Sequence, residues 1–356
     1  MPNFDIIKES RPDKTFRVAS VIGKFDLQSE NITEHFKGNI DIPKKWSIGL
    51  IVGKSGTGKT TISKQLFPDS YITSYKYTNQ SVLDDMPKNC NVEQITKTFN
   101  SVGFSSPPSW LKSYDVLSNG EKMRVNLARA ILEENNLFVF DEFTSVVDRN
   151  VAQIGSFAMQ KAIRKTDKQF IAVTCHFDVQ DWLMPDWVFN TDTMTFQSFE
   201  GQKKNRPEIK FKIFNYRDKT IWKMFAKHHY LSHTHNNAAN VFITIVNNEI
   251  AGFISVLHFP HPKVKNIKKV HRLVVLPDYQ GAGIGLKILN EVGKIYKNEK
   301  WRFNIVTSSP SLIYALKKSK EWICTRLSRT KSQSKGSTVG NMQTSENRIT
   351  ASFTLK

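Results

Sequence analysis

Eight residues, Gly53, Lys54, Ser55, Gly56, Thr57, Gly58, Lys59 and Thr60, constrain the chain most. They read G-x-x-x-x-G-K-[ST], between an apolar run, Ile48 to Val52, and a helical pattern, Thr61 to Leu66. A strand, a glycine turn and a helix start in that order make a phosphate cradle. The glycines let backbone N–H groups curl round phosphate oxygens, and the helix N-terminus adds its positive end. Lys59 is expected to reach the β- and γ-phosphates, and the Thr60 hydroxyl to take a Mg²⁺ position.

With 356 residues the chain is too long for one ordinary core, which predicts two domains. The polar stretch 197–210, with Gly201 and Pro207, is the expected linker, giving domains at 1–196 and 211–356. Charge changes sign at the same place. Residues 201–356 carry 28 of the 51 Lys and Arg but only 8 of the 32 Asp and Glu. Such an excess draws polyanions, nucleic acid above all; a basic domain with no such partner is the alternative. Cys90, Cys175 and Cys324 lie far apart and form no C-x-x-C pair, which suits a reducing cytoplasm. No apolar stretch reaches the roughly 18 residues that span a bilayer, and Met1 to Arg17 has no signal-peptide core. A cytoplasmic protein without a membrane partner is therefore expected.

Phe16 to Ile22 and Asn39 to Pro43 read as strands ahead of the glycine turn. Gln80 follows in a position to touch Mg²⁺ and an attacking water. Leu117-Ser118-Asn119-Gly120-Glu121 opens a helix, with Ser118 as N-cap and Glu121 three residues on. Leu137 to Phe140 then closes on Asp141 and Glu142. A buried strand that delivers two acids at its end calls for a cation or for chemistry. Asp141 is expected on Mg²⁺, with Glu142 as base for a hydrolytic water. Asp148 follows, and a further apolar strand, Phe170 to Cys175, ends in His176, which can reach a γ-phosphate.

The order of these motifs across roughly residues 15–195 resembles the ABC-type ATPases. The resemblance implies an α/β fold that binds ATP and Mg²⁺. It implies that Gly53 to Thr61, Gln80, Ser118, Gly120 and Asp148 hold the nucleotide, that Thr60, Gln80 and Asp141 hold the metal, and that Glu142 and His176 are catalytic. In that family Ser118 and Gly120 serve the triphosphate of the other protomer, so an ATP-sandwich homodimer is implied. The short stretch between Gln80 and Leu117 implies a reduced helical subdomain and a soluble member rather than a transporter subunit.

The second half opens with a helix end, Trp222 to Tyr230. Seven of the nine histidines fall between His228 and His271. A metal site, a substrate-binding loop and plain packing all remain open for them. Val241 to Val246 and Glu249 to Leu257 read as a hairpin. Val270 to Val275 reads as a strand, followed by Pro277-Asp278-Tyr279-Gln280-Gly281-Ala282-Gly283-Ile284-Gly285 and an amphipathic helix to Tyr296. That order again builds a pyrophosphate cradle at a helix start. A strand, Trp301 to Thr307, a helix and a last strand, Ile349 to Leu355, complete the order, with Ser328 to Arg348 as a polar loop.

The stretch V-x-P-x-x-Q-G-x-G-x-G resembles the acyl-CoA loop of GNAT acetyltransferases, with a mixed central sheet. The resemblance implies that Leu273, Val274 and Val275 pair with the pantetheine arm. Gln280, Gly281, Ala282, Gly283, Ile284 and Gly285 would hold the pyrophosphate of acetyl-CoA or another acyl-CoA. Tyr314 falls where many members keep a tyrosine that protonates the leaving thiolate; helix packing is its other reading. No acid sits on the central strands as a general base, and His258, His261 and His271 are substitutes in the right region. Trp222 to Ser232 is similar to a stretch of the phage Mom-type group, which modifies adenine in DNA. It makes His228, His229, Tyr230, Ser232 and His271 substrate-side candidates.

Together these readings give an ATP-dependent GNAT-type acyltransferase acting on a nucleic-acid base, DNA before RNA. The alternatives are an ATP-regulated protein or small-amine N-acetyltransferase and a non-catalytic DNA-clamping ATPase.

Overall fold

The computed structural model describes residues 3–13, 15–26, 32–72, 75–133, 135–199, 209–229, 234–329 and 349–356. Its elements, in order, are β1 (Asn3–Ser10), α1 (Phe16–Phe25), β2 (Ile32–Asn39), β3 (Ile48–Val52), α2 (Lys59–Leu66) and β4 (Tyr71–Ile72). A helical stretch follows: α3 (Val92–Ser101), α4 (Pro107–Trp110) and α5 (Asn119–Leu132). Then come β5 (Leu137–Phe140), α6 (Arg149–Ile163), β6 (Gln169–Thr174), α7 (Val179–Leu183), β7 (Trp187–Asn190) and β8 (Thr195–Ser198). The remainder is β9 (Phe211–Tyr216), α8 (Trp222–Ala226), β10 (Asn240–Val246), β11 (Glu249–His258), β12 (Ile267–Val275), α9 (Ile284–Asn298), β13 (Arg302–Thr307), α10 (Pro310–Lys318), β14 (Trp322–Arg329) and β15 (Ile349–Leu355).

These elements form two compact units. One comprises Met1–Lys76, Glu133–Val147 and Gln160–Arg206; the other comprises Tyr77–Leu132, Asp148–Met159 and Pro207–Lys356. The crossing at Arg206 and Pro207 falls in the expected linker, most of which lies outside the described residues. Two earlier segments, 77–132 and 148–159, also change sides. Packing explains this. Ile154 of α6 is fully buried in one core with Phe242, Val246, Tyr279 and Ile288. Apolar contact over a shared core outweighs position along the chain.

In the first unit the sheet order is β4-β5-β6-β3-β7-β8. Pairing is parallel from β4 to β7 and antiparallel only for β8. Central β3 reads Ile-Gly-Leu-Ile-Val and every residue in it is buried, as a parallel strand covered on both faces requires. Gly49 is demanded here by close approach. A Cβ on it would lie 2.1 Å from the Trp187 ring.

Two expectations fail in this unit. Phe16 to Ile22 is helical, not extended, because the Thr15 hydroxyl caps α1 by accepting the Val18 N–H at 3.3 Å. The strand expected at Asn39 to Pro43 ends at Asn39, where β2 finishes its antiparallel pairing with β1.

The second unit holds a seven-stranded mixed sheet in the order β14-β15-β13-β12-β11-β10-β9. All pairs are antiparallel except β12 with β13. That parallel pair is short, joining only Ile267–Lys269 to Arg302–Asn304. Beyond it the two strands splay. The amphipathic helix α9 covers the sheet through Ile288, Leu289, Val292 and Tyr296. The Ser328 to Arg348 loop lies almost wholly outside the described residues.

Gly49→Ala is expected to lower stability by about 1–3 kcal/mol through overpacking against Trp187. Thermal melting followed by Trp fluorescence checks it.

Candidate functional site

In the first unit the glycine turn leaves the C-terminal end of β3, flanked in the sheet by β6 and β7. Gly56 and Gly58 adopt φ of 83° and 82°, a region that favours glycine. Gly58 is the N-cap of α2 and offers no side chain, so the helix N–H groups stay open to an anion. The turn is braced from β7–β8: Lys54 N–H donates to Asp192 Oδ1 at 2.7 Å, and the Thr57 and Thr191 hydroxyls meet at 2.6 Å. Lys59 is buried and its ammonium folds back onto Lys54 C=O at 2.5 Å. It is held over the turn, where a phosphate would take the carbonyl's place.

The Thr60 hydroxyl donates to Asp141 Oδ2 at 2.8 Å, and the Tyr71 hydroxyl donates to the same oxygen. That contact and burial push the Tyr71 hydroxyl's pKa up, burial first. A hydroxyl and a carboxylate already in contact at the strand ends fit Mg²⁺, which takes oxygen ligands and keeps several waters. Glu142 is exposed at φ 53°, and Thr144 has φ 70°. Two left-handed non-glycine residues so close store strain directly after β5, as functional turns do. His176 follows β6, the parallel neighbour of β5; its N–H donates to the Thr174 hydroxyl at 3.2 Å.

The remaining nucleotide-side candidates belong to the second unit. Gln80 and Ser118 are exposed. Ser118 and Glu121 form the expected reciprocal cap: Ser118 N–H donates to Glu121 Oε2 at 3.1 Å, and Glu121 N–H to Ser118 Oγ at 3.3 Å. Asp148 caps α6 by accepting the Val151 N–H at 2.9 Å. Gly120 is buried against Val151 and the Asp278 carboxylate, which a Cβ would meet at 3.1 and 2.8 Å.

The splay of β12 from β13 leaves Leu273, Val274 and Val275 paired only with β11. Their other backbone edge has no strand among the described residues. An extended amide chain, as in pantetheine, fits such an edge. Past Val275 the chain turns through Pro277–Tyr279, and Gly281 and Gly283 adopt φ of 92° and 85°. Gly283 caps α9 without a side chain, and a Cβ there would meet nothing within 4 Å. Ala282 and Ile284 complete this turn, and Gly285 faces only Val275 at 3.7 Å. The cradle is open and fits a pyrophosphate. Gln280 braces it: Nε2 donates to Val275 C=O at 2.9 Å and Oε1 accepts the Ser105 N–H at 2.8 Å.

His271 sits at a β-bulge. Ser255 pairs with Arg272 and Val256 with Val270, so His271 is the extra residue. Its ring lies 5.6 Å from that of His235, which in turn lies 5.6 Å from Trp222 and from Phe253. Burial first, then Arg272, His235 and His229, lower its pKa to about 4. His271 is therefore neutral, with Nε2 accepting the Asn236 N–H at 3.3 Å, which leaves Nδ1 as the donor. As placed it is a neutral hydrogen-bonding group. His229 is buried, its ring edge-on to Trp222 at 5.9 Å, and His228 is half-buried. His258 packs edge-on to Trp301 at 5.3 Å, and His261 Nδ1 accepts the Lys263 N–H. No group of three or more metal-binding side chains occurs among the described residues. Tyr314 is exposed on α10. Tyr230 and Ser232 lie outside the described residues.

Sequence reasoning missed Tyr71, Asp192, Arg124 and Asp278. Arg124 of α5 is fully buried and donates to Pro277 C=O at 2.5 Å and Asp278 C=O at 2.7 Å. No local pattern marks any of the four.

A family model described as ABC transporter matches residues 65–145, and one described as Acetyltransferase (GNAT) domain matches residues 237–317. The chain is 32% identical over 143 residues to the zinc import ATP-binding protein ZnuC of Histophilus somni, covering 35% of this chain and 53% of that protein. It thus spans about half the length of the curated relative it matches. Among solved structures, an IAA acetyltransferase from Bacillus cereus is 14% identical, covering 41% of this chain and 99% of its own, with a TM-score of 0.31. A dimeric post-hydrolysis ATP-binding cassette bound to ADP and Pi is 13% identical, covering 56% and 98%, with a TM-score of 0.39. No described helix is long and apolar enough to cross a membrane.

Because His271 stays neutral when folded, the unfolded chain binds more protons between its pKa of about 4 and the ordinary value near 6.5. Stability is expected to fall as pH drops through that window. His271→Gln is expected to flatten this acid limb, as read from denaturant midpoints at about pH 5 and about pH 7.5.

Proposed function

Because the chain joins an ABC-type ATPase domain to a GNAT acetyltransferase domain, we propose that it spends ATP to transfer an acyl group from acyl-CoA onto a nucleic-acid base. The observation that carries the transferase reading is the backbone edge of Leu273–Val275, which no strand covers among the described residues, leading straight into the open turn at Gly283. Strand edge and helix start lie end to end, as an extended arm with a terminal pyrophosphate requires.

On the nucleotide side, Lys59 would neutralise the phosphates, and Thr60, Asp141 and, by the resemblance, Gln80 would hold Mg²⁺, which would supply charge neutralisation at the triphosphate. Glu142 takes a proton from the attacking water and His176 contacts the γ-phosphate. Ser118 and Gly120 close over the nucleotide of a second copy, giving an ATP-sandwich homodimer in which Asp148 lines the seam. Bound acyl-CoA supplies a thioester. The acceptor nitrogen would attack its carbonyl and give up a proton to water, the C–S bond would break, and the Tyr314 hydroxyl would give its proton to the departing sulfur and regain one from water. Exposure of Tyr314 on α10 suits contact with a ligand.

The acceptor follows from charge. The 28 Lys and Arg against 8 Asp and Glu of residues 201–356 lie in the transferase half, where a polyanion must bind. A base in a duplex must be unstacked before chemistry, at a cost of a few kcal/mol, and ATP-driven closure is the proposed source of that work. The half-buried rings of His235 and His271, backed by the buried Trp222, are the proposed faces for the extruded base, with the half-buried His228 nearby. The similarity of Trp222 to Ser232 to the Mom-type group favours DNA. The three free cysteines suit a reducing cytoplasm.

Radiolabelled acetyl-CoA, ATP and Mg²⁺ are expected to label DNA, less so as salt rises, and Glu142→Gln is expected to cut labelling at least about 100-fold. Label confined to protein or polyamine would replace the acceptor. CoA-free binding of DNA with DNA-stimulated ATPase would favour a clamp. Equal transfer without ATP would remove the coupling.

A further inference from the structure

Beyond the two cradles, one contact in the second unit joins parts of the two activities. The helix that begins with Ser118 and Gly120 carries Arg124 just over one turn later. Arg124 is fully buried, and its two terminal nitrogens donate to consecutive carbonyls, Pro277 C=O and Asp278 C=O, at the entrance of the Gln280–Gly285 turn. Its guanidinium also lies 4.0 Å from Asp278 Oδ1, and that carboxylate rests against Gly120. The turn is gripped from a second side. Gly103 and Gly281, at φ of 86° and 92°, approach so closely that a Cβ on Gly281 would lie 2.8 Å from Gly103 Cα. A Cβ on Gly103 would lie 2.5 Å from Gln280 C=O. Ser105 N–H then holds the Gln280 side chain at 2.8 Å.

From this geometry we propose that Arg124 is a positioning residue that makes the start of α5 and the acyl-CoA turn one mechanical piece, linking triphosphate engagement at Ser118–Gly120 to CoA affinity at Gln280–Gly285. The proposal rests on the nucleotide and CoA readings above. A planar fork bonded to two successive carbonyls fixes the turn's orientation as well as its distance, which a single ammonium does not do. A shift of the helix start therefore carries the turn with it, and packed elements move in steps rather than by stretching. Thermodynamic reciprocity follows: CoA must change triphosphate affinity by the same factor.

The test is a pair of calorimetric titrations on the full chain, with CoA and with the non-hydrolysed ATP analogue AMP-PNP and Mg²⁺. Each is run with and without the other ligand. In the wild type, AMP-PNP is expected to change the Kd for CoA by about fivefold or more, and CoA to change the Kd for AMP-PNP equally. In Arg124→Met each ligand is expected to bind, with the factor reduced to about one; Arg124→Lys is expected to recover only part of it. A structural role alone would alter both affinities and leave the factor unchanged. A wild type that binds both ligands with a factor of one overturns the proposal, as does an Arg124→Met protein with the wild-type factor. If Arg124→Met does not fold, the wild-type reciprocity and Arg124→Lys still decide. A wild type that binds no CoA overturns the transferase reading itself, and the proposal with it.

Discussion

A guanidinium with no access to water governs much of this structure. Burying an unpaired cation is expensive, so Arg124 can sit inside the protein only where acceptors are brought to it. The loop after β12 brings them: two carbonyls in succession and the Asp278 carboxylate close by. Burial presses the Arg124 pKa down and the Asp278 pKa up, while each charge partly offsets the other's shift. Removing the acceptors would strand the Arg124 guanidinium in a dry site, whereas the Asp278 carboxylate keeps contact with water. The loop's course is thereby fixed by a residue more than 150 positions away.

Two phosphate cradles follow one physical recipe. In each a strand ends, a glycine turns left-handed, and that glycine caps a helix without a side chain: Gly58 before α2, Gly283 before α9. What differs is the neighbourhood. Around Gly58 the end of β5 delivers Asp141 and Glu142 and the start of α2 delivers Thr60, an oxygen-rich setting that fits a divalent cation and a water. Around Gly283 a splayed strand has an edge that no strand pairs with among the described residues, a setting that fits an extended amide arm. The same kind of helix start thus fits two different ligands because the sheets beside it differ.

The division into units bears on how the readings fit together. Ser118, Gly120 and Asp148 share a unit with the seven-stranded sheet, while Lys59, Asp141, Glu142 and His176 belong to the other. The helical stretch that sequence order assigns to the first domain shares a compact unit with the second sheet.

Short-range chemistry was legible in the residues themselves. Gly53 to Thr60 announces its turn because glycine spacing and the strand–helix order are local facts. Leu137-Phe138-Val139-Phe140-Asp141-Glu142 announces its strand end because four apolar residues before two acids have few other readings. The hairpin, the Gln280–Gly285 turn and α9 are local in the same sense. Phe16 to Ile22 misled because its apolar spacing suits a strand, whereas a cap from Thr15 tips it to a helix. The bulge that singles out His271 depends on β11's register, which no single strand encodes. Arg124, Asp192 and Tyr71 owe their places to partners far away in sequence: the loop after β12, the Lys54 amide and the Asp141 carboxylate. The chain's own residues settled where the glycine turns and helix starts fall, because glycine conformations and helix starts are decided within a few bonds. Only folding decided which segments share a unit, placing the helical stretch of α5 with the Gln280–Gly285 turn, because that depends on which apolar faces find each other across the whole length.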